Sequence, residues 1–442
     1  MAEQKKARSS RTRPRKRPEI RDLSHLTRLG VRKRRMRYLR DARTFLVPIL
    51  FTIVIQSLVY FFIYTRTGRT DWKSGLTVIA ALSLVPVLSA FTLSAFRRNR
   101  APISAAIAVV LIFFSFAVTL LSAMRLPLSY SGLLATLPVA MLAMAFSNIR
   151  FHRSISDHVG LVDFGGARGV VEMLGQGVTL IGDSTVDLSQ FDMVLIDPEQ
   201  HHTSEWSNLL ARCYLSGVEI MPWTTFIEIR MGRVDVESFD LSHLSYSLSQ
   251  ILYARVKRTF DIAAVLITLP ATLLLAGLTA GYIFARDGGP VLFVQHRHGF
   301  GDRVFRIYKF RTMYKGTGGG ATGNGDKRII PGCNIIRRAR LDELPQLYNI
   351  LVGDMSLIGP RPEAMDLVKW YRGDIPQWNY RTLVLPGVTG WAQVNSGYTS
   401  NINEARVKLA YDLYYIKYLS FDLDLQILFK TVRTVLFGTG AR

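Results

Sequence analysis

Four long apolar runs, about 44 to 64, 75 to 96, 101 to 124 and 130 to 147, follow one another with only short polar connections between them. Each is close to the roughly 20 residues that a helix needs to cross a bilayer, so the pattern predicts a four-helix transmembrane bundle over 44 to 150. The periodicity then changes. From 156 to 245, strand-like runs (GVTLIGD, FDMVLIDP, VEIMPW) alternate with the amphipathic SEWSNLLARCYLSG, which predicts a small parallel α/β domain. The stretch from 259 to 285, TFDIAAVLITLPATLLLAGLTAGYIFA, is again long enough to span, but Pro270 falls near its middle, where it removes a backbone hydrogen bond and crowds the preceding turn. Beyond it, VLFVQHRHGF and VFRIYKFRTM predict a hairpin turning around Gly299, Phe300 and Gly301. GTGGGATGNG, 316 to 325, predicts a flexible loop, and PQLYNILVG a short helix opened by Pro345 and ended by Gly353.

Composition agrees with a membrane protein of several domains: 442 residues, 49% hydrophobic, with a formal net charge of +22. Much of that charge precedes the first apolar run, since residues 1 to 43 hold 17 Lys and Arg against four Asp and Glu. Such a tail is expected to be disordered and to face the cytoplasm, where it sets orientation and meets anionic lipid. Its position beside a membrane segment argues against nucleic acid as the partner. Arg40 and Arg43, then Arg97, Arg98 and Arg100, then Arg150 and Arg153 put both ends of the bundle in the cytoplasm, although Arg66, Arg69 and Lys73 weaken the asymmetry. The 259 to 285 segment is basic on both sides, with Arg255, Lys257 and Arg258 before it and Arg286, Arg297, Arg303 and Arg306 after it. That predicts a helix that enters the membrane, breaks at Pro270 and returns to the same face. The expected topology is multi-pass, with everything after 150 in the cytoplasm. Cys213 and Cys333 form no disulfide or metal framework.

Several ligand motifs are missing. The α/β domain carries DFGGARG where a dinucleotide site needs GxGxxG, so it reads as degenerate and Rossmann-like, with a packing or regulatory role. His201 and His202 lack further ligands at metal-binding spacing, and the glycine-rich loop lacks the GK[ST] of a nucleoside-triphosphate cradle.

The window RRARLDELPQL sets Arg337, Arg338 and Arg340 beside Asp342 and Glu343. Alone it reads as an ordinary charged helix start. Lys309 and Arg311 in YKFRTM, Arg361 in GPRP and Arg381 before PGVTGWAQ change that, because so dense a basic set around few acids suits a substrate with several phosphate charges. Carboxylates among such cations are expected to keep a low pKa and stay ionised. One of two adjacent carboxylates can then attack phosphorus while the other holds Mg²⁺.

From about 257 to the C-terminus the chain resembles the monotopic polyprenyl-phosphate phosphoglycosyl transferases, the bacterial sugar transferase family. The matching blocks are KRTFD with its proline-broken helix, QHRHG, FRIYKFRTM, RRARLDELPQLYNILVGDMSLIGPRPE, LPGVTGWAQVN and YDLYYIKYLSFDLDLQILFKT. The resemblance implies a C-terminal α/β transferase domain, 255 to 442, seated on the re-entrant helix. It implies that Asp342 attacks the β-phosphate of a UDP-sugar and releases UMP, that Glu343 coordinates Mg²⁺, and that the phosphosugar passes to undecaprenyl phosphate. Arg337 and Arg361 would contact phosphates or nucleotide, with Lys309, Arg311 and Arg381 in the same basic set, and Lys257 and Arg258 would meet the lipid phosphate at the membrane face. The preceding bundle and α/β domain resemble long-form members that start exopolysaccharide or capsule repeat units. Ile330 and Cys333 depart from the family's usual Thr and Gly. Two other readings stand beside this one: a catalytically idle scaffold of a polysaccharide assembly complex, and a conventional glycosyltransferase releasing UDP. Glucose is the expected sugar, galactose the alternative, and a homodimer through the α/β domain the expected assembly.

Overall fold

A computed structural model of the chain describes residues 45–68, 71–95, 101–154, 158–175, 177–200, 204–244, 248–315, 326–397 and 401–437. The basic tail, His201 and His202, and the 316 to 325 loop lie outside the described residues. The chain forms two compact units, the first ending at Phe226 and the second beginning at Ile227.

Among the described residues five helices are long and apolar enough to cross a membrane. Four are consecutive in the first unit: α1 (Leu46–Arg66), α2 (Trp72–Ala95), α3 (Pro102–Ala123) and α4 (Tyr130–Ser154). α1 and α3 each pack against both α2 and α4. The inward stripe of α1 is polar or amphipathic, Thr52, Gln56, Tyr60 and Tyr64 at four-residue spacing, while Val47, Leu50, Phe51 and Leu58 face outward. This reverses the pattern of a water-soluble bundle, as expected where lipid surrounds the helices and interhelical hydrogen bonds hold them together. Gln56 Nε2 donates to Thr136 O across 3.4 Å, and Tyr60 Oη accepts from Ser129 N at 3.3 Å.

The same unit contains a parallel sheet ordered β2-β1-β3-β4, from β1 (Val159–Val162), β2 (Val178–Ile181), β3 (Met193–Ile196) and β4 (Glu219–Pro222). Every residue of the interior strand β1 is buried. Pro222, which has no N–H to give a neighbour, sits on the edge strand. α5 (Ala167–Leu174) follows β1, and α6 (Ser204–Leu215) links β3 to β4. α7 (Trp223–Met231) follows β4 directly.

The second unit takes in more chain than the sequence pattern indicated. Val234, Val236 and Phe239, expected within the α/β domain, are buried with Trp378, Leu409 and Leu413. These three residues pack within the second unit. α8 (Leu248–Asp287) is assigned as one helix of 40 residues with Pro270 inside it. β5 (Leu292–His298) and β6 (Val304–Phe310) form the expected antiparallel hairpin, joined by a 3₁₀ turn at Phe300–Asp302. Then come α9 (Cys333–Arg338), α10 (Gln346–Val352), β7 (Ser356–Ile358), α11 (Met365–Asp374), β8 (Gly387–Thr389) and α12 (Trp391–Asn395). β7 and β8 pair in parallel. α13 (Ile402–Lys417) starts at an N-cap in which Asn401 Oδ1 accepts from Glu404 N, and α14 (Phe421–Phe437) closes the unit. Leu409, Leu413 and Ile416 of α13 are fully buried in the core that backs the site.

Candidate active site

The two carboxylates lie on a tight turn. α9 ends at Arg338, and Arg340 adopts φ 56°, a left-handed conformation that costs a non-glycine residue about 1 kcal/mol or more. This reversal starts the 3₁₀ turn Leu341–Glu343; Pro345 caps α10, which ends at Gly353 with φ 100°. The helix expected over PQLYNILVG is therefore present, with the acids in the turn before it.

Glu343 is buried. Its Oε1 accepts from Arg361 Nη2 at 2.7 Å and from Arg340 Nη1 at 3.2 Å. Burial alone would raise its pKa, but Arg361, Lys309 and Arg340 together outweigh that and hold it at about 2. Asp342 moves the other way. Burial first, then the charge of Glu343, pushes it up to about 6 against the pull of Lys309, Arg337 and Arg340. The uniformly low carboxylate pKa expected from the charge cluster thus holds for Glu343 and is corrected for Asp342, because desolvation is invisible in a count of cations. Among the described residues, Asp342 Oδ1 is buried without a hydrogen-bond partner, as is Nε2 of Gln346, one turn along. Lys309 is lowered to about 7 by burial and by the positive charge of Arg361. Arg337 donates to Thr312 Oγ1 at 3.4 Å and contributes to the field at Asp342.

The remaining expected substrate contacts have their charges engaged by the protein itself. Arg311 binds Asp287 and the carbonyls of Asp287, Gly288 and Pro290, so it ties the end of α8 to β6. Arg381 Nε donates to Asp412 at 2.7 Å and its Nη2 to Arg361 O at 2.9 Å, with its guanidinium over the Trp378 ring. Lys257 pairs with Asp424 at 2.6 Å, an acid that also accepts from Tyr253 and Tyr415. Arg258 donates to the carbonyls of Leu351 and Met355, both at 3.3 Å. Sequence reasoning saw these cations but not their partners. It also gave no separate role to Arg297, whose Nη1 donates to Pro362 O at 3.0 Å and whose charge acts on Lys309. The QHRHG block was the available signal for it.

The donor set fits a hard divalent cation in a limited way. No group of three or more His, Cys, Asp or Glu among the described residues could enclose a metal. Two adjacent carboxylates, one with an unpartnered buried oxygen, match the habit of Mg²⁺, which takes one or two carboxylates and fills its sphere with water and substrate phosphate.

Residues 252–438 match the family described as Bacterial sugar transferase. The chain is 36% identical over 345 residues to a UDP-N-acetylgalactosamine-undecaprenyl-phosphate N-acetylgalactosaminephosphotransferase of Aeromonas hydrophila, covering 77% of this chain and 82% of that one. It is 38% identical over 194 residues to an undecaprenyl-phosphate glucose phosphotransferase of Komagataeibacter xylinus (42% of this chain, 36% of the relative). It is 42% identical over 192 residues to a UDP-glucose:undecaprenyl-phosphate glucose-1-phosphate transferase of Caulobacter vibrioides (42% and 71%). With an acidic pair set among cations, a membrane-type helix in the same unit and a relative aligned over three quarters of its length, the chain belongs to the bacterial sugar transferase family of phosphoglycosyl transferases.

Proposed function

We propose that this enzyme transfers a sugar 1-phosphate from a UDP-sugar to undecaprenyl phosphate through a covalent intermediate on Asp342, at the start of polysaccharide assembly. The observation that carries the reading is the buried Asp342 Oδ1, without a hydrogen-bond partner among the described residues, beside a Glu343 held ionised by Arg361 and Arg340. A carboxylate whose pKa is about 6 is mostly ionised at neutral pH and is a better nucleophile than one held near 2. An Asp342 oxygen forms a bond to the β-phosphorus as the bond from that phosphorus to the bridging oxygen breaks. UMP leaves with the bridging oxygen and its electron pair. An oxygen of the lipid phosphate then attacks the same phosphorus, and the Asp342 carboxylate leaves regenerated. Lys309, Arg337 and Arg361 offset the charge of the phosphates during both steps. Glu343 would hold Mg²⁺, whose chemistry here is to neutralise phosphate oxygens.

The sugar is proposed only as a hexose or N-acetylhexosamine. Glucose is named for the Komagataeibacter and Caulobacter relatives, N-acetylgalactosamine for the Aeromonas relative that aligns over 77% of this chain.

The membrane seat is proposed as re-entrant, with the catalytic unit on the cytoplasmic face of the inner membrane. Val265, in the first half of α8, is buried with Ile307, Ile350 and Met355, and Ile283, in the second half, with Phe310, Ile330, Cys333 and Ile336. In a straight helix those two residues stand about 27 Å apart, close to a full bilayer core. Both nevertheless pack on one compact unit, which supports a helix that enters and leaves on one face. Leu266, Ile267, Leu273, Leu274 and Leu278, near Pro270, are exposed and available to lipid.

Intact mass of the wild type given UDP-sugar without lipid tests the chemistry. A phosphosugar adduct and at most about one equivalent of UMP per chain are expected, with no adduct on Asp342→Asn. An Asp342→Asn protein that still turns over, or UMP release only when lipid phosphate is present, would remove Asp342 from this role.

A further inference from the structure

Arg361 is the residue that grips Glu343, and its backbone has almost no freedom of its own. Pro360 precedes it and Pro362 follows it, and a residue before proline is confined to extended conformations. The loop also begins at Gly359, whose Cα lies against backbone: an added Cβ would stand 3.0 Å from Gly387 N and 3.2 Å from Pro386 C. A buried guanidinium group and a half-buried one then hold two consecutive carbonyls of the loop. Arg381 Nη2 donates to Arg361 O at 2.9 Å, and Arg297 Nη1 donates to Pro362 O at 3.0 Å.

Arg381 is itself fixed. Its side chain is 5% exposed, its Nε binds Asp412, itself 1% exposed, at 2.7 Å, and Trp378 covers its face 4.5 Å from the ring centre. Glu363 lies 3.8 Å from the same guanidinium and pairs with Lys408 on α13. The two acids and two cations thus satisfy one another behind the loop, and the Arg381 fork uses different nitrogens for Asp412 and for the Arg361 carbonyl. A lysine ammonium carries the charge but not this fixed fork.

We propose that Arg381, aimed by Asp412, is a positioning residue that acts on the reaction through the main chain of Arg361 and does not touch substrate. The inference rests on the phosphoglycosyl transfer proposed above. It replaces the substrate contact that the sequence pattern suggested for Arg381 with an indirect role.

A double-mutant cycle separates the two roles, because residues that act through one another give non-additive losses. The assay is UMP release and sugar-phosphate transfer to undecaprenyl phosphate by the full-length protein, using Arg381→Lys, Asp412→Asn, Arg361→Lys and the two pairings with Arg361→Lys. With Arg361 intact, Arg381→Lys and Asp412→Asn should each lose about 10-fold or more in kcat/KM, the scale on which small misplacements act. In the Arg361→Lys background each should cost less than about twofold, since the group they aim is no longer there. Losses that multiply in full would overturn the proposal and return Arg381 to the substrate. Thermal unfolding of each variant identifies any that fails to fold, and Asp412→Asn, which keeps an acceptor for Nε, stands in if Arg381→Lys does so. Wild type with neither UMP release nor transfer would refute the proposed function; an active wild type with an additive cycle would refute only the positioning role.

Discussion

Gly359→Ala places one methyl group where the structure has only backbone. The new Cβ would overlap Leu385 O and stand 3.0 Å from Gly387 N and 3.2 Å from Pro386 C. None of these is the free end of a side chain, so the β7–β8 pair must separate or the 359–363 loop must shift. Overpacking of this kind costs about 1–3 kcal/mol. Displacement also strains the bonds Gly359 N to Thr389 O at 2.8 Å and Gly387 N to Pro360 O at 2.9 Å, each worth about 1 kcal/mol. The sum is about 3–5 kcal/mol, which for a unit of this size lowers the melting temperature by about 10 °C. Because Pro360 and Arg361 follow directly, transfer activity below the melt should fall by about 100-fold if the loop moves by 1 Å. The measurement is thermal unfolding by intrinsic fluorescence in detergent, with UMP release on the same preparation. Gly373→Ala is the control: nothing lies within 4 Å of its Cβ position at the end of α11, so it should be neutral or slightly stabilising. If Gly359→Ala melts within 2 °C of the Gly373→Ala protein, the close approach of the two strands does not hold the loop.

Acidification should reduce kcat/KM with a midpoint near pH 6, because protonation of Asp342, whose pKa is raised to about 6, removes the nucleophile; a profile flat from pH 8 to 5 would contradict the assignment. Pro270→Ala restores the missing backbone donor and should straighten α8, lowering transfer and exposing introduced cysteines after Asp287 to periplasmic label; wild-type activity and topology would show that the proline does not set the seat. Ser356→Ala leaves the buried Asp261 carboxylate without its 2.6 Å hydroxyl donor and should cost about 1–3 kcal/mol in an unfolding titration, while Thr431→Ala, at a half-buried hydroxyl pair with Thr389, should cost less.

The membrane helices were readable because lipid demands long uninterrupted apolar runs, a signal few other structures produce. The hairpin was readable for a similar reason, as Gly299 and Gly301 interrupt two strand-like runs. The dyad turn was found because Asp342, Glu343 and Pro345 are neighbours in the chain and their local geometry follows from proline and glycine rules. What was hidden depends on distant partners. Arg311 and Arg381 look alike in sequence to Arg361, yet Asp287 and Asp412 take the first two and Glu343 the third. Desolvation at Asp342 and the packing of Val234, Val236 and Phe239 against Trp378 are likewise set by folding.

The left-handed backbone at Arg340 has a consequence for how variation at this site would be scored. Arg340→Gly relieves about 1 kcal/mol of backbone strain while giving up a pair with Glu343 in which the arginine is 41% exposed, worth at most about 1 kcal/mol after solvent screening. The two changes nearly cancel, so a screen that ranks variants by melting temperature or expression level would pass this one as silent. The same variant strips a cation from the field around Asp342 and Glu343, and a screen on turnover would reject it. At this one position folding fitness and catalytic fitness are decoupled, and only the second carries information about why an arginine stands there.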